Sequence, residues 1–260
     1  MPGIIDPDLH PDVDHAIDDG ATETDGIAFR LDLPHGRCVG IEIRPDHLAA
    51  IHADERRHAA TLGPARQPSF HAGRRALRLA LGDLGVHAGP ILPDHRGAPR
   101  MPAGSLGSIS HKRSCAVGLA ARRSTKTADL SDGEPLVEDL GVDLEEVRPL
   151  RANIAPRVLT PAERDTWMQV APELRDRFVL ERFSVKEAFF QAANRVVGPR
   201  ISFQAVAITH VADDGLVDLH APWLTERGFS VQGWLGSPDS GLILSSVRLR
   251  SSGFTPPSSR

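Results

Sequence analysis

The chain has 260 residues, a formal net charge of -4, 40% hydrophobic and 25% charged side chains, values expected of a globular protein with enough chain for one large domain or two packed halves. No apolar run approaches the roughly 18 residues of a membrane span, the acidic N-terminus lacks the basic-then-apolar order of a signal peptide, and a negative net charge argues against a nucleic-acid partner. The expectation is a cytoplasmic protein in which Cys38 and Cys115, both in apolar strand-like runs, are reduced core thiols.

Residues 1–25 are rich in Asp, Pro and Gly without periodicity, and the tail 251–260 is similar, so both ends are expected to be mobile and function to lie between them. IAFRLDL and RCVGIEI, separated by Pro34, His35 and Gly36, predict a strand pair. A helix follows at 54–62. Ser69 then precedes Leu77, Ala80, Leu81 and Leu84 at helical spacing, with Gly85 as the terminating glycine, which predicts a helix over 70–84. Residues 91–103 read as an ordered loop, and GSISH and CAVGLAA as a turn running into a buried strand.

The polar stretch 122–135 is the predicted boundary between an N-terminal half, 26–125, and a C-terminal half, 136–250. The second half repeats the order of the first: a strand in LVEDLGVDLEEV, two helices, then strands at 203–211, 216–220, 229–235 and 242–249. Thr160-Pro161-Ala162-Glu163 is a capping box with Pro at the first helical position. The next helix carries Leu174, Phe178, Val179, Val185, Phe189 and Ala192 on one face.

Asp143 and Glu145 are two apart in an apolar strand pattern and so share one face of a sheet. That face is either solvated or the place of a cation, because neighbouring carboxylates repel without one; Mg²⁺ would need a third oxygen ligand. Lys186 and Glu187 lie beside Phe183, Phe189 and Phe190, so they are either a surface pair or two charges buried near a cation or phosphate. Ser110 and His111 are adjacent on an extended segment, which excludes a nucleophile–base pair and leaves His111 as a phosphate donor or a structural histidine. Arg74, Arg75 and Arg78 stud the first long helix near its N-terminus, where anions are favoured. No zinc spacing, P-loop or GxGxxG is present.

In this order, FHAGRRALRLALGDLG, GAPRMPAGSLGSISH, LGVDLEE and FSVKEAFFQA, spanning about residues 70–192, resemble the 4'-phosphopantetheinyl transferase superfamily, in particular the monomeric type serving nonribosomal peptide, siderophore and polyketide synthases. The resemblance implies an α+β pseudo-dimer of two similar halves with coenzyme A in the cleft between them. It implies transfer of phosphopantetheine from coenzyme A to a serine of an acyl or peptidyl carrier protein, with release of 3',5'-ADP. Carried onto this chain, Asp143, Glu145 and Glu187 become Mg²⁺ ligands and Glu187 also the general base. Lys186, Ser110 and His111 would hold phosphates, and Arg74, with Arg78, would meet the 3'-phosphate or adenine end.

Three positions depart from the pattern. Met101 stands where the family has Trp, which is expected to loosen the loop. Ala98 replaces a residue often basic, for which Arg96 or Arg100 could substitute. Gln191 replaces a lysine one turn after Glu187, so the enzyme is expected to be slow and Gln191→Lys to raise kcat, unless Arg195 compensates. The rival readings are a homologue that binds coenzyme A or carrier protein with little catalysis, and an unrelated Mg²⁺-dependent phosphohydrolase. Arg148, Arg151 and Arg157 follow the acidic strand and are expected to receive the acidic carrier protein.

Overall fold

A computed structural model describes residues 26–44, 52–124, 137–197 and 201–251. In the first half, β1 (Ile27–Leu33), β2 (Gly36–Glu42), α1 (Ala53–Ala59), α2 (Gln67–Asp83), β3 (Ser105–His111) and β4 (Cys115–Arg122) follow in order. In the second come β5 (Glu138–Glu146), α3 (Ala155–Val158), α4 (Pro161–Gln169), α5 (Arg175–Val197), β6 (Ala207–Val211), β7 (Leu216–His220), α6 (Pro222–Thr225), β8 (Phe229–Gly236) and β9 (Leu242–Ser251). The sheets are ordered β1-β2-β4-β3 and β5-β9-β8-β7-β6, with every pairing antiparallel.

The halves share a plan. In each, the strand that precedes the helices (β2, β5) pairs with the last strand (β4, β9), which pairs with the one before it (β3, β8). Apart from the short extra helix α3, the helical parts before and within the long helix are in register: α1 begins at residue 53 and α4 at 161, a 3-10 turn at 64 and at 172, and the long helices α2 and α5 at 67 and 175, a constant step of 108 residues. The expected α+β fold of two similar halves is therefore what the chain forms.

Two glycines let the long helices lie close on their sheets. A Cβ on Gly118 of β4 would sit 2.3 Å from the Leu77 nitrogen of α2, and one on Gly141 of β5 would sit 1.8 Å from the Ala188 carbonyl oxygen of α5. Around these crossings Leu77, Ala80 and Leu81 pack on Val39, Ile41, Ala116 and Ala120, while Ala188, Phe189 and Ala192 pack on Val247 and Leu249. Cys38 and Cys115 are buried and free, and burial pushes both thiols up to about 12.

Several local expectations are corrected. The long helix begins at Gln67 rather than at 70, because the 3-10 turn Pro64–Arg66 feeds directly into it; Ser69 lies in the first turn, donating to the Arg66 carbonyl at 3.0 Å. Gly85 does close it, at φ +67°. The predicted strand at 203–211 is a 3-10 turn at Phe203–Ala205 followed by β6. The ends, and nearly all of the stretch 122–135, lie outside the described residues.

β3 and β5 are edge strands of different sheets, and they lie side by side without a backbone ladder. Ser108 and Ser110 join them instead: the Val142 N–H donates to the Ser108 hydroxyl at 3.2 Å and the Leu144 N–H to the Ser110 hydroxyl at 3.4 Å. This satisfies edge N–H groups that would otherwise be buried without partners. At a second point of the seam, His35 of the β1–β2 turn is buried against the second sheet, hydrogen-bonded through Nδ1 to the Ser246 hydroxyl at 2.8 Å.

Candidate active site

Each seam serine accepts from β5 and donates to a side chain of the second half. Ser110 donates to Asp143 Oδ1 at 2.9 Å and Ser108 to Gln191 Oε1 at 2.6 Å. Side chains on a strand alternate, so Ser108, Ser110 and the next residue in that series, Lys112, address the same side. The Lys112 ammonium lies 2.7 Å from Glu145 Oε1.

Asp143 and Glu145 are buried, and Asp143 Oδ2 has no hydrogen-bond partner. Burial, then the charge of Glu145, raises the Asp143 pKa to about 7. Burial likewise raises Glu145, against the pull of Lys112. Glu187 is raised by burial, with Lys112 lowering it and Glu145 raising it. The three carboxylates thus share one electrostatic field with Lys112 inside it. Among the described residues no three acidic, His or Cys side chains stand close enough to form a ready-made metal cage. The donors nevertheless fit a hard divalent cation: all are carboxylate oxygens, one is buried without a partner, and a positive charge already stands beside them.

Beyond the carboxylates, between α2, the 94–99 loop, β3, β5 and α5, opens a cleft of about 280 Å³. Arg66, Arg74, Arg96 and His111 line it, together with Gln191 and a single acidic residue, Asp139. Arg74 is buried with its guanidinium 4.0 Å from the Phe70 ring centroid and donates to the Ile91 carbonyl at 3.2 Å; burial draws its pKa down to about 10. His111 is held below the usual histidine range by burial and by Arg66, Lys112 and Arg74. Arg96 reaches across from the first half to donate to the Asn194 carbonyl of α5 at 2.7 Å. Its loop is pinned by the Asp94 carboxylate, which accepts from the N–H groups of Arg96 and Ala98. Arg100 lies in a neighbouring basin with Arg123.

Other expected contacts fall elsewhere. Lys186 does not line the cleft. Its ammonium is fully buried, donating to Glu163 Oε2 at 2.6 Å and to the Val158 carbonyl at 2.8 Å, so nothing of it is left open to a phosphate. Arg78 is held by Glu55 at 2.6 Å and by the carbonyls of Ala88 and Gly89. The Ser110 hydroxyl is already engaged twice, as above. Met101 does not loosen its loop: it packs over Gly107, where a Cβ would meet its Cε at 2.4 Å. The capping box at Thr160 forms as expected, and Arg148, Arg151 and Arg157 are exposed. Lys112 and Arg66 are not among the sequence-predicted residues, and Glu163 is expected there only in its capping role, not in its pairing with Lys186. The alternation Ser108, Ser110, Lys112 is the signal that would have pointed to the first.

Comparison with known proteins bears on what this site belongs to. Residues 54–121 match the family model of the 4'-phosphopantetheinyl transferase N-terminal domain, and residues 139–223 that of the 4'-phosphopantetheinyl transferase superfamily. The chain is 29% identical over 208 residues to the 4'-phosphopantetheinyl transferase Svp of Streptomyces mobaraensis, covering 78% of this chain and 80% of Svp. It is 30% identical over 176 residues to the 4'-phosphopantetheinyl transferase Npt of Nocardia iowensis, covering 67% of this chain and 72% of Npt. Among solved structures, a holo-(acyl-carrier-protein) synthase from Bacillus anthracis in complex with coenzyme A (3',5'-ADP) aligns at 23% identity and a TM-score of 0.37, over 44% of this chain and 96% of the other. On the family models and the relatives, the chain belongs to the 4'-phosphopantetheinyl transferase family.

Proposed function

We propose that the chain transfers the 4'-phosphopantetheine group of coenzyme A to a serine of an acyl or peptidyl carrier protein, releasing 3',5'-ADP, with Mg²⁺ held by Asp143, Glu145 and Glu187. The observation that carries this reading is the juxtaposition of a buried carboxylate group, including the unpartnered Asp143 Oδ2, with a cleft whose charged lining is basic but for Asp139. The chemistry such an ion supplies when bound is neutralisation of negative charge on the pyrophosphate oxygens.

The chain's own residues do the rest. Arg74, Arg96 and His111 face the cleft and bind phosphates, and Arg74, buried and fixed over Phe70, does so with little freedom to lose. Gln191 uses its oxygen on Ser108, which turns its amide nitrogen into a neutral donor at the cleft wall. Glu187, its pKa raised by burial and by Glu145, takes the proton of the carrier serine as that oxygen attacks the pantetheine-side phosphorus. Lys186 acts by fixing α5 rather than by touching phosphate. Arg148, Arg151 and Arg157, exposed just beyond the acidic strand, receive the acidic carrier protein, and reversing Arg148 and Arg151 to Glu weakens that encounter most at low salt. The reading extends to a monomer in the cytoplasm serving nonribosomal peptide or polyketide synthesis.

Incubation with coenzyme A, Mg²⁺ and an apo carrier protein tests it: the carrier gains the phosphopantetheine mass, and Glu187→Gln and Asp143→Ala abolish the gain while the fold persists. An unmodified carrier with the unaltered chain would overturn the transferase reading and favour a homologue that only binds.

A further inference from the structure

Among the described residues, two lysine–glutamate pairs have nearly equal length and opposite character. Lys186 and Glu163, 2.6 Å apart, have side chains 0% and 4% exposed, and the lysine makes two internal hydrogen bonds. Lys112 and Glu145, 2.7 Å apart, are 31% and 5% exposed. This second contact is an ion pair whose lysine is partly open to solvent. The first pair is sealed. The second can open without unfolding anything, because the Lys112 backbone is held separately by its N–H donating to the Cys115 carbonyl at 2.9 Å.

Lys112 also occupies a particular place. It continues the side of β3 that carries Ser108 and Ser110, and it is the cation that Asp143, Glu145 and Glu187 all sense. Carboxylates gathered this closely repel one another unless a positive charge stands among them. A divalent ion with oxygen ligands would need the Glu145 oxygen on which Lys112 rests.

We propose that Lys112 is a tethered cation that keeps the place of the divalent ion among Asp143, Glu145 and Glu187, so that ion binding and release of the Lys112 ammonium are one exchange. Lys112 balances the charge of the empty carboxylates and thereby weakens ion binding. The inference rests on the metal reading of the carboxylates proposed above.

Direct binding of Mn²⁺ alone to the full chain, followed by calorimetry and by the electron paramagnetic resonance of free Mn²⁺, separates the two ideas. Lys112→Met binds Mn²⁺ about tenfold more tightly than the unaltered chain, the scale of one partly exposed ion pair, whereas Lys112→Arg, which keeps the tethered charge, does not. The rise in Tm that Mn²⁺ produces is correspondingly larger in Lys112→Met, whose metal-free form lacks its balancing cation. Asp143→Ala binds no Mn²⁺ at the same concentrations. Equal or weaker Mn²⁺ affinity in Lys112→Met, with Asp143→Ala still blind to the ion, would overturn the tethered cation and leave the metal site standing. Mn²⁺ binding unaffected by Asp143→Ala would overturn both. Should Lys112→Met fold poorly, Lys112→Gln carries the same test.

Discussion

The two halves brace their long helices in the same way and then use them differently. Glu55 and Glu163 each occupy the third position of a capping box, with N-caps His52 and Thr160. Each is buried and accepts the backbone N–H of a residue beyond the long helix, Ile91 or Ile208. Each pairs with a cation 23 residues further on, Arg78 or Lys186, both at 2.6 Å. One turn earlier, Arg74 stands 4.0 Å from the Phe70 ring centroid and Arg182 stands 3.2 Å from that of Phe178, and burial draws both guanidinium groups down to about 10. All of these pairs but Ile91 and Ile208, which lie beyond the helices, keep the 108-residue step.

The same step also aligns residues that differ in kind. Glu187 corresponds to Leu79, which packs at the edge of the first core. Gln191, at the cleft, corresponds to Asp83, which is held by Arg30 and Arg37. What the halves have in common is scaffold, apart from Arg74, which keeps the shared contact with its phenylalanine and also lines the cleft; what one half has alone is available for chemistry. On that ground Lys186 belongs with the scaffold although it is the immediate neighbour of Glu187.

The contrast is tested most severely at the braces. Lys186→Met leaves Glu163 buried without its cation and is expected to cost about 3–5 kcal/mol. Arg78→Met is expected to cost about 1–3 kcal/mol, because the Arg78 side chain is 22% exposed and water can reach Glu55 from its side. Urea denaturation of the two variants measures the difference. Equal losses would mean that the braces are energetically alike and that nothing special seals the second half.

At the seam, acid should separate the halves through His35. Burial, with Arg248 and Arg250 adding to it, lowers its pKa from 6.5 to about 4. Above pH 6.5 the ring is neutral in both folded and unfolded chains; as pH falls from 6.5 towards 4 the unfolded chain binds the proton first, so stability is lost across that window, by about 3 kcal/mol in all. The raised Asp143 gives a slope of the opposite sign between about pH 4 and 7, so the quantity to follow is the unaltered chain minus His35→Gln. A difference independent of pH would remove His35 as the acid-sensitive joint.

Gly141→Ala and Gly118→Ala are each expected to cost about 1–3 kcal/mol by overpacking, yet they should part company in function. The first pushes α5 with Glu187 away from β5 with Asp143 and Glu145, and a displacement near 1 Å is worth about 10²-fold in kcat. The second lifts α2 with Arg74 and should raise the KM for coenzyme A while leaving kcat nearly intact. Matching kinetic profiles would show that the two helix crossings are not specialised.

Much of this was legible beforehand because it is local. Period-2 alternation in LGVDLEE set Asp143 and Glu145 on one side of a strand, the Thr160–Glu163 box gave the start of α4, and Gly85 gave the end of α2. The braces were hidden because the repeat conserves geometry and not letters: His52 answers Thr160, and Arg78 answers Lys186. Ser69 misled because a capping residue type looks the same one turn inside a helix. Ser110 and Lys112 were misassigned or missed because their partners, Asp143 and Glu145, lie more than 30 residues away across a seam, and only the packing of two sheets brings those edges together.

Gln191 gives the smallest expected effect and the sharpest reversal. Without the structure, a lysine there should speed the reaction by adding charge beside the pyrophosphate. The side chain is in fact an acceptor: Gln191 Oε1 takes the Ser108 hydroxyl at 2.6 Å, with the Val142 N–H at 3.4 Å. Lysine has no acceptor, so Gln191→Lys leaves the Ser108 proton without its partner and weakens the β3–β5 seam by about 1 kcal/mol. It also sets a second cation in the cleft that Arg96 already lines, anchored on Asn194 one turn away, where like charges repel; the side chain of Arg195 is outside the described residues. Gln191→Lys should therefore lower kcat by about two- to tenfold. In an Arg96→Ala background the same substitution should raise kcat, because the repulsion is gone and the cleft is short of one charge. A double-variant cycle resolves the coupling. A rise in kcat in both backgrounds would restore the view that the missing lysine limits this enzyme.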